Sequence, residues 1–570
     1  MGTQAFRRGR LIRLRACLLL GALLVALAPV PVEAARKELG AAVAPLRLIP
    51  TGSSPISVRG LHGYFGSIEL GAASDGIVVS NRLPLERYLL GLAEVPLSWP
   101  EEALKAQAVA ARTYALYTLA QPSGGSAAVY GFDICASVQC QVFSGADVVA
   151  PLLGARWRAA VEQTAGQAVT YQGSPILARY HSTSGGQTLD NPQAFPTEPA
   201  YPYLRSVPSP TEQASPLFRW TVDFPLKRLQ RILSAGGMWE PQLGRLVEVG
   251  SRPSSSGFHY PDLVLRGRKG SHVVTAEEFR TMVREVAPRL YPGNYPSLGP
   301  TSSGRLPETL PSNRIDAFTR AGTVRVIGRG WGHGVGMSQW GAYGLASRGA
   351  SYLEILTHYY TGVEVGSVDD PGPIEVGVAW ARPSVTVDGE FEIVDGRGRT
   401  LVKDGIGSWT FHWAGAGVVE IDPPQGYGLP LTVGIVKAPK RVQVGESVYL
   451  TVALSRPARV RTVTKAATAY QDPGVRIAAA GRRRIVWPAP LEEGRFSVRV
   501  EARAGSTRSR TRPVEIEVFS KPLAAEPESP EDRPRSEGEG SMPWVPLAAG
   551  AAAILLGLAV AAGVRRRMQE

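Results

Sequence analysis

Cysteine is scarce in this chain, three residues in 570. Cys17 lies in an apolar N-terminal segment, so Cys135 and Cys140 stand alone in the body of the protein. A C-x4-C pair is half a zinc site at best, which excludes a metal centre built from cysteine alone. The pair stays open between a disulfide, two free thiols and part of a metal site; an oxidising compartment favours the bond. No cysteine occurs between 437 and 520, which excludes an inter-sheet disulfide in that β-patterned stretch. Acidic residues are outnumbered, 49 against 62 Lys and Arg, for a net charge of +13. In an exported chain this argues against nucleic acid and for anionic wall polymers or lipid headgroups, unless it reflects a generally basic proteome.

The two ends carry targeting patterns. Arg7, Arg8, Arg10, Arg13 and Arg15 precede the apolar run Ala16–Val30, and Val32-Glu33-Ala34 resembles a cleavage site. This layout predicts a signal peptide over 1–35. Trp544–Val564 is apolar and long enough to cross a bilayer, and Arg565, Arg566 and Arg567 follow it. A membrane helix with a short basic cytoplasmic tail is therefore expected over 542–570. The expected product is exported and anchored in the cell membrane by that helix, with its body facing the cell wall.

Between the ends, Leu46–Val79 reads as short strands, and Leu83–Val95 and Pro100–Ala120 as helices. Ser98 and Glu101 are placed for a capping box, as are Ser351 and Glu354. Gln167–Tyr171 and Ile176–Ser182 predict a hairpin across Gln172-Gly173, and Phe218–Leu233 a strand leading into a helix. Tyr291–Ser312, rich in Pro, Gly and Ser, reads as a long surface loop. The expected fold is an α+β catalytic domain (36–370), a β-rich extension (371–436), an all-β immunoglobulin-like sandwich (437–520), a disordered linker (521–541) and the C-terminal transmembrane helix.

The densest local pattern is Val326–Gly341, V-I-G-R-G-W-G-H-G-V-G-M-S-Q-W-G. Glycine at every second or third position blocks ordinary helix and strand and lets the backbone approach another surface. Arg329, Trp331, His333, Ser338 and Gln339 between the glycines read as a binding wall; the alternative is a structural turn whose His and Trp merely pack.

Four further stretches precede it: Leu83–Gly91 running into Glu94-Val95-Pro96 and Trp99-Pro100; Glu102–Tyr114; Cys135–Gly145; and Tyr180–Thr188. In this order, from about Leu46 to Val365, they resemble the stage II sporulation protein D family. The resemblance implies a peptidoglycan lytic transglycosylase acting on glycan strands stripped of stem peptides, with a wall amidase enhancer as a relative. It places the catalytic acid at Glu94, ahead of the Trp-Pro that opens the Ala-rich helix. Some members bind zinc at the Cys pair with nearby histidines. Here Gln139 precedes the second Cys and Val129 and Tyr130 lie upstream, so no metal and no cofactor is expected.

The chemistry fits one acid. Glu94 would protonate the glycosidic oxygen and then, as carboxylate, take the proton of the muramyl 6-hydroxyl during internal attack. That demands a raised pKa from an apolar pocket, to which Val95, Pro96 and Trp99 could contribute. The amide end of the next helix would oppose it if Glu94 faced that way. A capping or salt-bridging role is the bland alternative for Glu94. Arg112 is either paired or a ligand contact. Tyr180, Ser184 and Thr188 are candidate sugar contacts, with Ser184-Gly185-Gly186 alternatively a tight turn. Trp331 could stack on a sugar ring, and His333 and Gln339 could hydrogen-bond glycan. A Ser184–His181–Asp190 triad is formally writable, but its members lie too close along the chain. Expected partners are peptidoglycan strands, the cytoplasmic membrane and a wall amidase.

Overall fold

The computed structural model describes residues 39–150, 152–254, 260–297, 306–465 and 476–520. The expected signal peptide (1–35), linker (521–541) and membrane segment (542–570) lie outside them. The chain is predominantly β, 40% strand and 21% helix, which corrects the expected α+β class. Among the described residues no helix is long and apolar enough to cross a membrane, so no transmembrane helix is assigned. The β content was underestimated because strand partners lie far apart along the chain, where local periodicity cannot show them. Strands Leu246–Arg252, Asp262–Gly267 and Ser271–Thr275 illustrate this: they form a three-stranded antiparallel sheet where no strands were expected.

Two compact units divide the chain differently from the linear scheme. The first holds described residues 39–59, 64–81 and 378–520. In it Leu46–Pro50 is hydrogen-bonded between Ser384–Val394 and Ser67–Ala72, and Ala41–Val43 pairs with Val418–Asp422. The β-rich stretch after 371 is therefore not a free-standing extension. It completes a sheet begun by the N-terminal strands. Val385, Val387, Phe391 and Ile393 alternate inward along Ser384–Val394 and supply its buried face. Described residues 433–465 and 476–519 carry two further sheets sharing one core of Leu450, Val452, Ile485, Trp487, Phe496, Val498, Val500, Ile516 and Val518. Trp487 is buried and donates its indole N–H to Thr464 Oγ1 at 3.0 Å.

The second unit, 60–63 with 82–377, is organised by the helix Glu101–Leu119. Alanines at 103, 106, 108, 110, 111 and 115 are all buried. Small, helix-favouring side chains let helices Gly154–Gln163, Gln339–Ala346 and Tyr352–Tyr359 and the strand Gln167–Tyr171 pack closely around it. The Ser98–Glu101 capping box does not form. Pro100 is the N-cap without a side-chain bond, and Glu101 turns out to Lys105 at 2.8 Å. The Ser351–Glu354 box forms as expected. The hairpin turn at Gln172-Gly173 does too, with φ of 51° and 78°, but the returning strand is Ser174–Pro175 rather than Ile176–Ser182. The expected surface loop after Tyr291 is corrected at its far end, where Glu308–Arg314 is buried. Glu308 pairs with Arg284, and Arg280 donates to the Leu310 and Pro311 carbonyls at 2.9 and 3.0 Å.

Arg112 is 1% exposed on the central helix and grips Glu86 with two bonds of 2.7 Å, adding the Gln167 carbonyl at 3.1 Å. Arg112 is buried but the Glu86 side chain is 40% exposed, so Arg112→Ala leaves Glu86 in water and costs the bonds and packing of the buried guanidinium. The loss should be about 2 kcal/mol in urea unfolding; a loss below about 0.5 kcal/mol would show that the guanidinium is not structural.

Candidate active site

The Gly-rich run is a ladder rather than a loop. Gly330, Gly332, Gly334 and Gly336 have φ of 77°, 98°, 82° and 71°, a region glycine enters without cost. Alternating with Trp331, His333 and Val335, they lay the backbone along residues 179–189. Thr183 and Trp331 exchange two backbone bonds of 3.1 and 2.9 Å, and Tyr180-His181 pairs in parallel with Met337-Ser338. A Cβ at Gly336 would overlap the Arg179 carbonyl oxygen, so the contact requires glycine there. Ser338 then caps the helix Gln339–Ala346 by accepting from Gly341 N–H at 3.2 Å. The outcome is that Tyr180 and Gln339 are delivered to one place.

That place is Glu94. An isolated antiparallel bridge, Leu92 to Phe143, sets Glu94 beside Val142. The Val142 N–H donates to Glu94 Oε1 at 2.7 Å and the Tyr180 hydroxyl donates to the same oxygen at 3.0 Å. Gln339 adds a side-chain bond to the carboxyl. Its amide also donates to Gln107 Oε1 at 3.2 Å. Behind Tyr180 lies Gln141, fully buried. Its Nε2 donates to the Tyr180 oxygen at 2.9 Å, and its Oε1 accepts from the Tyr88 hydroxyl at 2.8 Å. Cys135 and Cys140 are bonded, with Cα atoms 5.5 Å apart, and the ring they close ends one residue before Gln141.

Burial raises the Glu94 pKa, and the bonds from Val142, Tyr180 and Gln339 pull it part of the way back. The opposing donors are thus a backbone amide beside the Leu92–Phe143 bridge, a phenol and a side-chain amide. They are not the N-terminal amides of the following helix, whose Ala103 and Leu104 N–H groups bond the Pro100 carbonyl. Aromatic rings cluster on the segments that follow Glu94 and Gln339 in the chain. Trp99 meets Trp340 edge-on at 5.0 Å and Tyr343 at 5.2 Å, and Tyr114 meets Tyr180 at 6.5 Å. Trp340 and Tyr343 stay half-exposed while Trp99 is buried.

The other sequence candidates fall into two groups. Tyr180 and Gln339 reach Glu94. Arg112 is spent on Glu86, the paired reading rather than the ligand one. The Ser184-Gly185-Gly186 amides, expected to be open for sugar, are filled by Glu212: Ser184 N–H at 3.1 Å, Gly185 at 2.7 Å and Gly186 at 3.3 Å. Thr188 is buried and exchanges bonds with Val207, nineteen positions on. Trp331 is half-buried and donates to Glu308 at 3.0 Å. His333 accepts from Val335 N–H at 3.1 Å and faces His181 and Phe195, each at 5.5 Å. Burial holds His333 well below the usual histidine range and pushes His181 down to about 3, so both are neutral near pH 7. Ser184, His181 and Asp190 make no triad: Ser184 Oγ accepts from Gly186 N–H, His181 Nδ1 faces the Val335 carbonyl, and Asp190 caps a short helix. Among the described residues no cluster of three His, Cys, Asp or Glu could hold a metal. Sequence reasoning missed Gln141, the Val142 amide, Tyr88, Gln107 and Glu212. The position of Gln141-Val142 just after Cys140 was the available signal.

A carboxyl of raised pKa fixed by uncharged donors is a candidate acid–base group. The family profile described as stage II sporulation protein matches residues 73–171, which include Glu94 and Gln141. The chain is 31% identical over 299 residues to stage II sporulation protein D of Bacillus subtilis (strain 168), spanning 50% of this chain and 76% of that relative. It is 29% identical over 296 residues to the protein of the same name from Bacillus amyloliquefaciens, spanning 50% and 75%. An amidase enhancer of Bacillus subtilis (strain 168) matches at 28% over 297 residues, 48% of this chain and 39% of that one. The chain belongs to the stage II sporulation protein D family.

A carboxyl whose folded pKa is raised stabilises the fold below its unfolded pKa, and that contribution is lost as pH rises through the folded value. Glu94→Gln removes the effect. The stability of the variant relative to wild type should therefore climb from about pH 4 upward and level off once Glu94 ionises. Urea unfolding across pH measures this; a difference that shrinks with rising pH contradicts the raised pKa.

Proposed function

We propose that this protein is a peptidoglycan lytic transglycosylase acting on peptide-stripped glycan, with Glu94 as general acid and then general base. The carrying observation is that Glu94 is desolvated, its pKa raised, and held by Val142, Tyr180 and Gln339 rather than by a cation. Oε1 takes the Val142 and Tyr180 bonds, which leaves Oε2 to carry the proton. Transfer of that proton to the glycosidic oxygen breaks the bond to the muramyl C1. The Glu94 carboxylate then takes the proton from the muramyl 6-hydroxyl as its oxygen bonds C1, closing a 1,6-anhydro ring and regenerating the acid. No water enters, so the second carboxylate that positions water in ordinary glycosidases is not required. Tyr180 and Gln339 orient the acid; the half-exposed Trp340 and Tyr343 rings are the surfaces on which sugar rings stack in this reading. Trp331, His333, Ser184 and Thr188 act behind this surface by shaping it.

The reading includes export to the wall side of the cell, which the Cys135–Cys140 bond supports. A second reading is favoured by the amidase-enhancer relative: a glycan-binding protein that stimulates a wall amidase without cutting glycan itself.

Digestion of purified denuded glycan by the wild-type chain should yield 1,6-anhydro-muramyl ends, and Glu94→Gln should slow this at least ~100-fold. Binding with stimulation of a partner amidase but no anhydro ends would select the enhancer reading.

A further inference from the structure

Residues 433–519 carry their basic side chains in two settings. On the larger sheet several arginines are paired with carboxylates, while others such as Arg508 and Arg510 are exposed. Arg461 and Arg499 pair with Glu501 at 2.7 and 3.0 Å, and Arg441 pairs with Glu517 at 3.2 Å. The three-stranded sheet Val433–Lys437, Ser447–Leu454 and Gly481–Pro488 has no acidic residue in any strand. Lys437, Arg482 and Arg484 are exposed on it, and none has an ion-pair partner among the described residues.

Register places these cations together. Lys437 lies across from Thr451, and Thr451 across from Arg484. Gly434 lies across from Ala453, and Ala453 across from Arg482. Cross-strand partners share a face, and Leu450, Val452, Ile485 and Trp487 are buried on the other one. The outward face is thus a floor of Thr451, Ala453 and Gly434 with Arg482 and Arg484 along one rim and Lys437 on the other. Two residues along a strand are about 6.8 Å apart, so the two arginines repeat at the scale of successive charges on a linear polymer. Tyr449 on the same face is 52% exposed, and the Arg484 guanidinium sits 4.0 Å over its ring, which holds the cation in place.

We propose that this face is a docking surface for a linear polyanion, a phosphodiester-linked polyol polymer of the wall. The regular rim of cations and the small-residue floor match a strand laid along the sheet, and the opposite-sign charge supplies the attraction. This binding is separate from the chemistry at Glu94.

The test uses the full-length chain and immobilised poly(glycerol phosphate) at low and high salt. The triple variant Lys437→Ser, Arg482→Ser, Arg484→Ser should bind about tenfold or more weakly at low salt and with a flatter salt dependence. A charge-matched triple on the exposed end of the other sheet, Arg508→Ser, Arg510→Ser, Arg512→Ser, should lose less than about twofold. Equal losses in both triples would reduce the effect to overall charge and overturn the proposal. So would absence of wild-type binding, or binding to phosphatidylglycerol vesicles that the polymer does not compete away.

Discussion

The short bonds from the Val142 amide and the Tyr180 hydroxyl to one oxygen of Glu94 are the constraint around which the second unit is arranged. A carboxyl at such a site faces two opposing demands. Burial favours its neutral form, while every donor aimed at it favours the charged form. Burial is the larger influence here, and the donors carry no net charge, so Glu94 keeps a raised pKa and a fixed orientation together. A lysine or arginine in place of Tyr180 would favour the charged form; a phenol and amides leave the upward shift in place.

Much of the surrounding structure serves this arrangement. The alanine-rich helix brings its neighbours close, and Gln141 is buried against its Ala111 carbonyl at 3.3 Å while it orders Tyr180. The glycine ladder fixes Tyr180 and the start of the helix bearing Gln339. Glu212 fills the backbone amides around Ser184, and the neutral His181 and His333 pack behind the ladder. Residues that look reactive in the sequence are thereby committed to support, and the proposed chemistry rests on one side chain.

Local signals were legible where a local cause decides the structure. The Ser351 capping box, the Gln172-Gly173 turn and the central helix follow from side chains a few positions apart. Glu94, Tyr180 and Gln339 stand out in the sequence as motif residues, but the bonds that join them could not be read there, and Tyr180 and Gln339 were expected as sugar contacts. What could not be read depends on partners far away in sequence. The pairing of Leu46–Pro50 with Ser384–Val394 spans over three hundred positions and moved the class of the chain toward β. The occupation of the Ser184 turn by Glu212 and of Arg112 by Glu86 likewise requires tertiary placement; composition alone marks such residues equally as ligands or as structural pairs.

The most direct measurement is a carbon-13 NMR titration of the Glu94 side-chain carboxyl, assigned by its loss in Glu94→Gln, in the wild-type chain and in Tyr180→Phe. The account predicts a pKa above the ordinary glutamate range in wild type and higher still in Tyr180→Phe, where a bond that stabilises the carboxylate is gone. A wild-type value at or below the ordinary range, or a fall in the variant, would contradict it.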